Sequence, residues 1–130
     1  MSEYYCEKNY QVIGCSRNKS DFENENYRHY ELDVTNEFAV KRIFVEVRKL
    51  FGKLDVLINN AGIASMNHIM LTPVKTVKDI FDTNFLGSFI FCREASKIMS
   101  KNKSGRIINF SSVAVDLNLE GESIYAASKS

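Results

Sequence analysis

An α/β fold with parallel strands is the architecture that this 130-residue sequence predicts. Three observations carry it. Short β-branched or apolar runs alternate with longer segments whose apolar residues recur at helical spacing, the pattern of strands joined by helices. One run, residues 54–58 (LDVLI), is nearly all apolar, as a strand is when helices cover both faces of its sheet. Two of the runs lead directly into polar segments, Asn59-Asn60-Ala61-Gly62 and Ser111-Ser112, at the carboxyl edge where open α/β sheets bind ligands.

The elements follow in order. Residues 3–9 are polar around Tyr4, Tyr5 and Cys6 and read as the end of a helix, with Asn9 as a left-handed cap. Residues 10–16 (YQVIGCS) are a strand, residues 18–26 a polar loop, and residues 30–34 (YELDV) a second, brief strand. Thr35 is expected to cap the next helix, with Glu37 in its first turn where a negative charge suits the helix dipole. Val40, Ile43, Phe44, Val47 and Leu50 fall on one face of that helix, and Gly52 ends it. Residues 54–58 are the third strand. Thr72-Pro73 reads as an N-cap followed by proline at the first helical position. The helical pattern then runs to about Ser100, bent near Asn84, and stops at Ser104-Gly105. Residues 106–111 (RIINFS) are the fourth strand, residues 113–123 a loop, and residues 123–130 the first turns of another helix.

Composition narrows the function classes. One domain at most fits in residues 1–130. A hydrophobic fraction of 45% with 25% charged residues is ordinary for a globular core. Seventeen basic against 16 acidic residues leave a formal charge of +1, which argues against a nucleic-acid or anionic-membrane surface. Three well-separated cysteines, Cys6, Cys15 and Cys92, form no CxxC pair and read as reduced thiols of a cytoplasmic protein. The first ten residues carry charges and no apolar run, so no signal peptide is expected. The longest apolar stretch, residues 85–92, is too short to span a bilayer. The six glycines stand singly, which leaves no glycine-rich phosphate loop.

The chemistry concentrates near the end of the chain. In Tyr125-Ala126-Ala127-Ser128-Lys129 the first and last residues lie one helical turn apart on one face. An ammonium beside a phenol favours its ionised form, and that suits a tyrosine which passes a proton to or from a carbinol oxygen. Alone the pattern is weak: roughly half a match arises by chance in this composition, and Tyr4–Lys8 is a second match with no polar partner before it. A solvated helix pair is the plain alternative. Ser112, at the end of an apolar strand, can hydrogen-bond a reacting carbonyl; otherwise it belongs to a common strand-ending turn. In the Asn59–Gly62 segment small residues let backbone approach a ligand, or make an ordinary Asn/Gly turn. Asn84 is a poor helix former; its apolar flanks, Ile80, Phe81, Phe85 and Leu86, suit an inward-facing role, and a solvent-facing residue is the plain alternative.

Taken together these pieces resemble the short-chain dehydrogenase/reductase (SDR) family. The matching segments are LDVT at residues 32–35, NNAG at 59–62, NFLG at 84–87, IINFSS ending at Ser112, and YAASK at 125–129, in the family's order. The intervals agree: 41 positions separate Asn84 from Tyr125, and 13 separate Ser112 from Tyr125. The resemblance implies a Rossmann-like, doubly wound parallel sheet. It implies Tyr125 as general acid/base, Lys129 as the residue that favours the tyrosine's ionised form and holds the nicotinamide ribose, Ser112 as the group that orients the substrate, and Asn84 as the holder of a water in the proton relay. Asn60, Ala61 and Gly62 would line the cofactor, and Asp33 with Val34 would contact its adenine. Residues 10–16 end in Ser16-Arg17 with no acid before Asp21. An arginine there suits the 2′-phosphate of NADP(H) rather than the free hydroxyl of NAD(H); the plain alternative is a surface arginine.

The family's first strand and glycine-rich turn have no counterpart before residue 10, and the chain ends one residue past Lys129. The expectation is therefore an incomplete domain, truncated at both ends, lacking its first strand and its C-terminal strands. Its sheet should be interrupted between the strands at 10–16 and 54–58. Two uses are expected. One is an NAD(P)(H)-dependent oxidoreductase that interconverts a small carbonyl and a secondary alcohol, impaired by truncation. The other is a non-catalytic remnant or scaffold that associates with full-length relatives. In the family the helix holding Asn84 and the helix starting at Tyr125 form the usual subunit interface, so Phe85, Phe89, Ile90 and Cys92 are candidate contacts of a homo-oligomer. Core packing is the plain alternative for them.

Overall fold

The computed structural model describes residues 1–117 and 119–130. Its order is α1 (Ser2–Glu7), β1 (Val12–Ser16), β2 (Tyr27–Glu31), α2 (Glu37–Phe51), β3 (Val56–Asn59), a 3-10 turn (Ile69–Leu71), α3 (Val74–Phe81), a π-helical segment (Asp82–Gly87), α4 (Ser88–Asn102), β4 (Arg106–Asn109), α5 (Ala114–Leu117) and α6 (Ser123–Lys129). The strands are parallel, as expected. They form two separate pairs, β1 with β2 and β3 with β4. Among the described residues no ladder joins the pairs, and the break falls between residues 10–16 and 54–58, where the sequence places it. A strand in a parallel pair bonds its partner on one side only, so β1 and β3 each keep a row of backbone groups directed away from the partner.

Side-chain packing holds the pairs together instead. Val40, Ile43, Phe44 and Val47 of α2 meet Leu57 of β3 and Ile90, Phe91, Ala95, Ile98 and Met99 of α4, and Ile13, Cys15 and Tyr30 of the other pair pack against the same cluster. Phe44 and Phe91 meet edge to face with ring centroids 5.6 Å apart, an arrangement aromatic quadrupoles favour. The Tyr30 hydroxyl donates to Glu46 of α2, and that bond, with burial, raises the phenol's pKa.

Several local expectations are corrected. β2 starts at Tyr27 rather than residue 30 and ends at Glu31; Asp33 and Thr35 form a side-chain turn instead of continuing the strand, because the Asp33 carboxylate accepts from the Thr35 amide at 2.9 Å and from its hydroxyl at 2.8 Å. The cap of α2 is Asn36, whose side chain accepts from the Ala39 amide, and Thr35 is spent on Asp33. Leu50 lies outside the buried face, 48% exposed. Pro73 caps α3 from an extended conformation rather than sitting inside it, because Thr72 ends the 3-10 turn. Within residues 113–123 a short helix, α5, interrupts the expected loop; Asn118 of that loop lies outside the described residues. Strand β4 is exposed along its length; its main packing partner among the described elements is β3. Gly52, at φ 68°, and Asn9, at φ 60°, take the expected left-handed caps.

An ionic chain ties the start of α2 to α4. Glu37 meets Lys41 and Arg93, each at 2.7 Å, and Arg93 meets Glu94, which Lys97 reaches at 2.8 Å. Glu94 is buried. Burial alone would raise its pKa, but hydrogen bonds from Lys97 and Arg93 outweigh that and hold it below the ordinary range. The Lys41 ammonium, and then the Arg93 guanidinium, hold the Glu37 carboxyl down to about 2 from an ordinary 4.5. A carboxyl whose pKa is depressed on folding stabilises the fold above its unfolded value and loses that contribution as pH falls toward the folded one. Glu37→Gln should therefore flatten the melting temperature between pH 4.5 and about 2, more at low than at high salt. An acid limb identical to that of the parent chain would rule this out.

Candidate active site

β3 and β4 run parallel with Asn59 opposite Asn109, so both carboxyl ends open onto one edge. The two asparagines clamp that edge: the Asn59 amide donates to Asn109 Oδ1 at 2.8 Å and to Cys92 Sγ at 3.2 Å. Residues 60–64 leave β3, residues 110–112 leave β4, and α6 lies beside both. Between them is a cleft of about 230 Å³ bordered by Asn60, Gly62, Ile63, Phe110, Ser111, Tyr125 and Lys129.

Close approach at Gly62 sets the geometry. A Cβ there would lie 3.1 Å from Lys129 Nζ and 3.3 Å from Asn84 Oδ1, so a side chain at this position would crowd the lysine and the asparagine, and glycine leaves them room to converge. Lys129 Nζ donates to the Phe110 carbonyl at 3.1 Å, which leaves donors on the ammonium. Ser111 Oγ donates to the Lys129 carbonyl at 3.0 Å and so ties the strand end to α6. The same face of α6 carries Tyr125, half-buried.

Asn84 stands behind the cleft, 4% exposed. It lies in the π-helical segment Asp82–Gly87; such segments break the regular helical ladder and recur at functional sites. Its Oδ1 accepts from the Ile63 amide at 2.8 Å, and its Nδ2 donates to the Ile63 carbonyl at 2.9 Å and to Ser128 Oγ at 2.8 Å. Ser128 Oγ donates onward to the Tyr125 carbonyl at 2.7 Å. One side chain thus fixes the loop after β3 and the helix that presents Tyr125. Ser112 is not among the residues bordering the cleft, where its neighbour Ser111 stands; its hydroxyl accepts from the Ala114 amide at 3.2 Å at the start of α5. Ala61 is exposed in the loop between Asn60 and Gly62.

The remaining candidates lie at the carboxyl edge of β1 and β2. Arg17 and Asp33 follow these strands. Bonds from the Thr35 amide and hydroxyl, and then the Arg17 charge, hold the Asp33 carboxyl below its ordinary range. Val34 packs against Gly87, where a Cβ would come within 2.9 Å of the valine methyl. The adenine-side candidates are therefore braced by the same segment that carries Asn84.

Ser128, Ser111 and the Asn59–Asn109 pair are absent from the sequence-based candidates. Ser128 sits inside YAASK, but its partner is 44 positions away, a separation no local pattern reveals. Two asparagines, each ending an apolar strand, were the available signal for the clamp. The Tyr4–Lys8 match is a surface contact, with the ammonium 5.8 Å from the ring centroid. Among the described residues no group of three or more His, Cys, Asp or Glu is placed to hold a metal, and no helix is long and apolar enough to cross a membrane.

The short chain dehydrogenase family model matches residues 1–130, and the chain belongs to that family. It is similar to the 3-oxoacyl acyl-carrier-protein reductase FabG of Vibrio cholerae, with 31% identity over 99% of this chain and 55% of the relative. The corresponding reductase of Bos taurus shares 38% identity over 75% of this chain and 41% of its own. Among solved structures, ElxO with NADP bound superposes with a TM-score of 0.90 at 32% identity, over 98% of this chain and 56% of that one. Serine dehydrogenase from Escherichia coli gives the same TM-score at 26% identity, over 98% and 62%. The chain spans about half the length of the curated relatives it matches.

Asn84→Ala removes three hydrogen bonds at once and strands the Ile63 amide and carbonyl. The expected cost is about 1–3 kcal/mol of unfolding free energy, the range for a buried polar group left unpaired. Asn84→Asp should not rescue it, because a carboxylate cannot donate to the Ile63 carbonyl. Urea unfolding of both variants measures this, and a loss under about 0.5 kcal/mol, typical of a surface site, would contradict it.

Proposed function

We propose that this sequence is the catalytic-residue-bearing part of an NADP(H)-dependent oxidoreductase that interconverts a carbonyl and a secondary alcohol. The observation that carries the reading is the meeting of Tyr125, Lys129 and Gly62 at one cleft on the carboxyl edge of β3 and β4. The residues suit a dinucleotide at both ends. Gly62 and Asn60 offer close backbone approach, and Lys129 keeps donors for ribose hydroxyls after its bond to Phe110. Arg17 suits a 2′-phosphate, and the FabG relatives and NADP-bound ElxO favour the same cofactor by analogy. The dinucleotide, when bound, supplies or takes the hydride at the carbonyl carbon.

The chain's own residues handle the proton. In reduction Tyr125 Oη gives its proton to the carbonyl oxygen as that carbon gains hydride; in oxidation it takes the alcohol's proton. The Lys129 ammonium, one turn along α6, offsets the negative charge on the phenol oxygen as its proton leaves. The Ser112 hydroxyl accepts from Ala114 and keeps its own hydrogen to donate to the substrate oxygen. Asn84 acts through position, holding the loop and α6 at their spacing, and a loss of that spacing is costly for catalysis.

Activity is tested by NADPH consumption against a panel of ketones and aldehydes. Tyr125→Phe should lower the rate about a hundred- to ten-thousandfold while NADPH binding persists. A parent chain that neither binds NADPH nor turns over any carbonyl would overturn the reading for these 130 residues.

One observation favours a second reading, a scaffold that associates with relatives. On the helix through Asn84, Phe85 is 62% and Phe89 49% exposed, whereas Ile90 is buried. Two of the four expected contact residues thus point outward. Sedimentation should then show oligomers that Phe89→Glu disperses; a monomer at all concentrations would exclude this reading.

A further inference from the structure

One face of the β1–β2 pair belongs to the core through Ile13, Cys15 and Tyr30. Successive side chains alternate across a strand, so Gly14, Ser16, Tyr27 and His29 share the opposite face. Gly14 stands opposite His29 in register. A Cβ at position 14 would overlap the Tyr27 hydroxyl, so the bare backbone there makes room for the Tyr27 ring. Phe22 steadies that ring edge-on, with centroids 5.0 Å apart. The Tyr27 hydroxyl lies 2.8 Å from His29 Nδ1. On the other side of the imidazole, Nε2 lies 2.9 Å from the Asn18 carbonyl and 3.2 Å from Ser16 Oγ.

These contacts select one tautomer. A carbonyl oxygen only accepts, so Nε2 carries the hydrogen; in the neutral ring Nδ1 then accepts, and the Tyr27 hydroxyl donates to it. Ser16 Oγ donates to the same Asn18 carbonyl at 2.7 Å. Two donors from two strands thus converge on one carbonyl and pin the turn on both sides of Arg17. Neither Tyr27 nor His29 takes part in the proton chemistry above, and neither lies at the cleft.

We propose that Tyr27 and His29 are positioning residues that hold the turn at residues 16–18, present Arg17 to the 2′-phosphate of NADP(H), and so set the preference for the phosphorylated cofactor. The proposal rests on the NADP(H) reading above and assigns its selectivity to a relay running from Gly14 through Tyr27 and His29 to Asn18.

NADPH and NADH are titrated separately into the full 130-residue chain and followed by cofactor fluorescence. The variants are Tyr27→Phe, His29→Phe, His29→Gln and Arg17→Ala. Tyr27→Phe and His29→Phe should each weaken NADPH about three- to tenfold, the scale of one lost hydrogen bond, with NADH affinity unchanged. His29→Gln keeps a donor for the Asn18 carbonyl and should restore most of the preference. Equal losses for both cofactors would mark a merely structural role and overturn the proposal. If Arg17→Ala removes the preference and His29→Phe does not, the positioning role fails while the cofactor reading stands. If the parent chain shows no preference for NADPH, both fail. The ¹⁵N shifts of the parent's imidazole give a cofactor-free check: protonation at Nε2 with bare Nδ1 is expected, and the opposite tautomer overturns the relay.

Discussion

The buried amide of Asn84 is the interaction on which the site depends. It is one of four buried polar or charged residues among those described, and its donors and acceptor are committed to two segments that no ladder joins. The loop after β3 and the helix α6 are separate in sequence and come from opposite sides of the cleft. Each alone is short. α6 has seven residues, below the length at which an isolated helix is stable in water. Its placement therefore comes from outside itself, through Ser128 to Asn84, through Ser111 to Lys129, and through Lys129 to Phe110. The segment that carries it, Asp82–Gly87, is π-helical.

Much of this was legible in the sequence, for a physical reason. Gly52 and Asn9 announce left-handed caps because few residues tolerate that conformation. The stripe Val40, Ile43, Phe44 and Val47 announces a buried face because helical periodicity leaves no other arrangement. The spacing from Asn84 to Lys129 announced a candidate site, and both side chains do lie against Gly62. What failed was chemistry shared between neighbours. Thr35 and Asn36 are both good caps, and the choice turned on whether Asp33 took Thr35 first. Thr72 and Pro73 gave a correct helix start with the roles displaced by one, because a 3-10 turn ends there. Ser128, Asn59 and Asn109 stayed hidden because their partners are 44 and 50 positions away, and hydrogen bonding at that range leaves no local trace.

The two edges of the candidate site are built by different means. At the β3–β4 edge, glycine allows a charged side chain and a buried amide to crowd one loop. At the β1–β2 edge, glycine allows a tyrosine to lie across a strand. Membership of the short chain dehydrogenase family accounts for the first in general terms, since the matching segments are those of the family. The second uses Phe22, Tyr27 and His29, which lie outside those segments.

The division of the sheet into two pairs has a mechanical consequence. Within each pair, displacement must break main-chain hydrogen bonds. Between the pairs the joint is the α2–α4 cluster of Phe44, Phe91, Ile98 and their neighbours, and packed side chains resist sliding through dispersion contacts that are individually small. Val34 against Gly87 adds to that joint, so packing rather than a main-chain ladder sets the offset between the two edges.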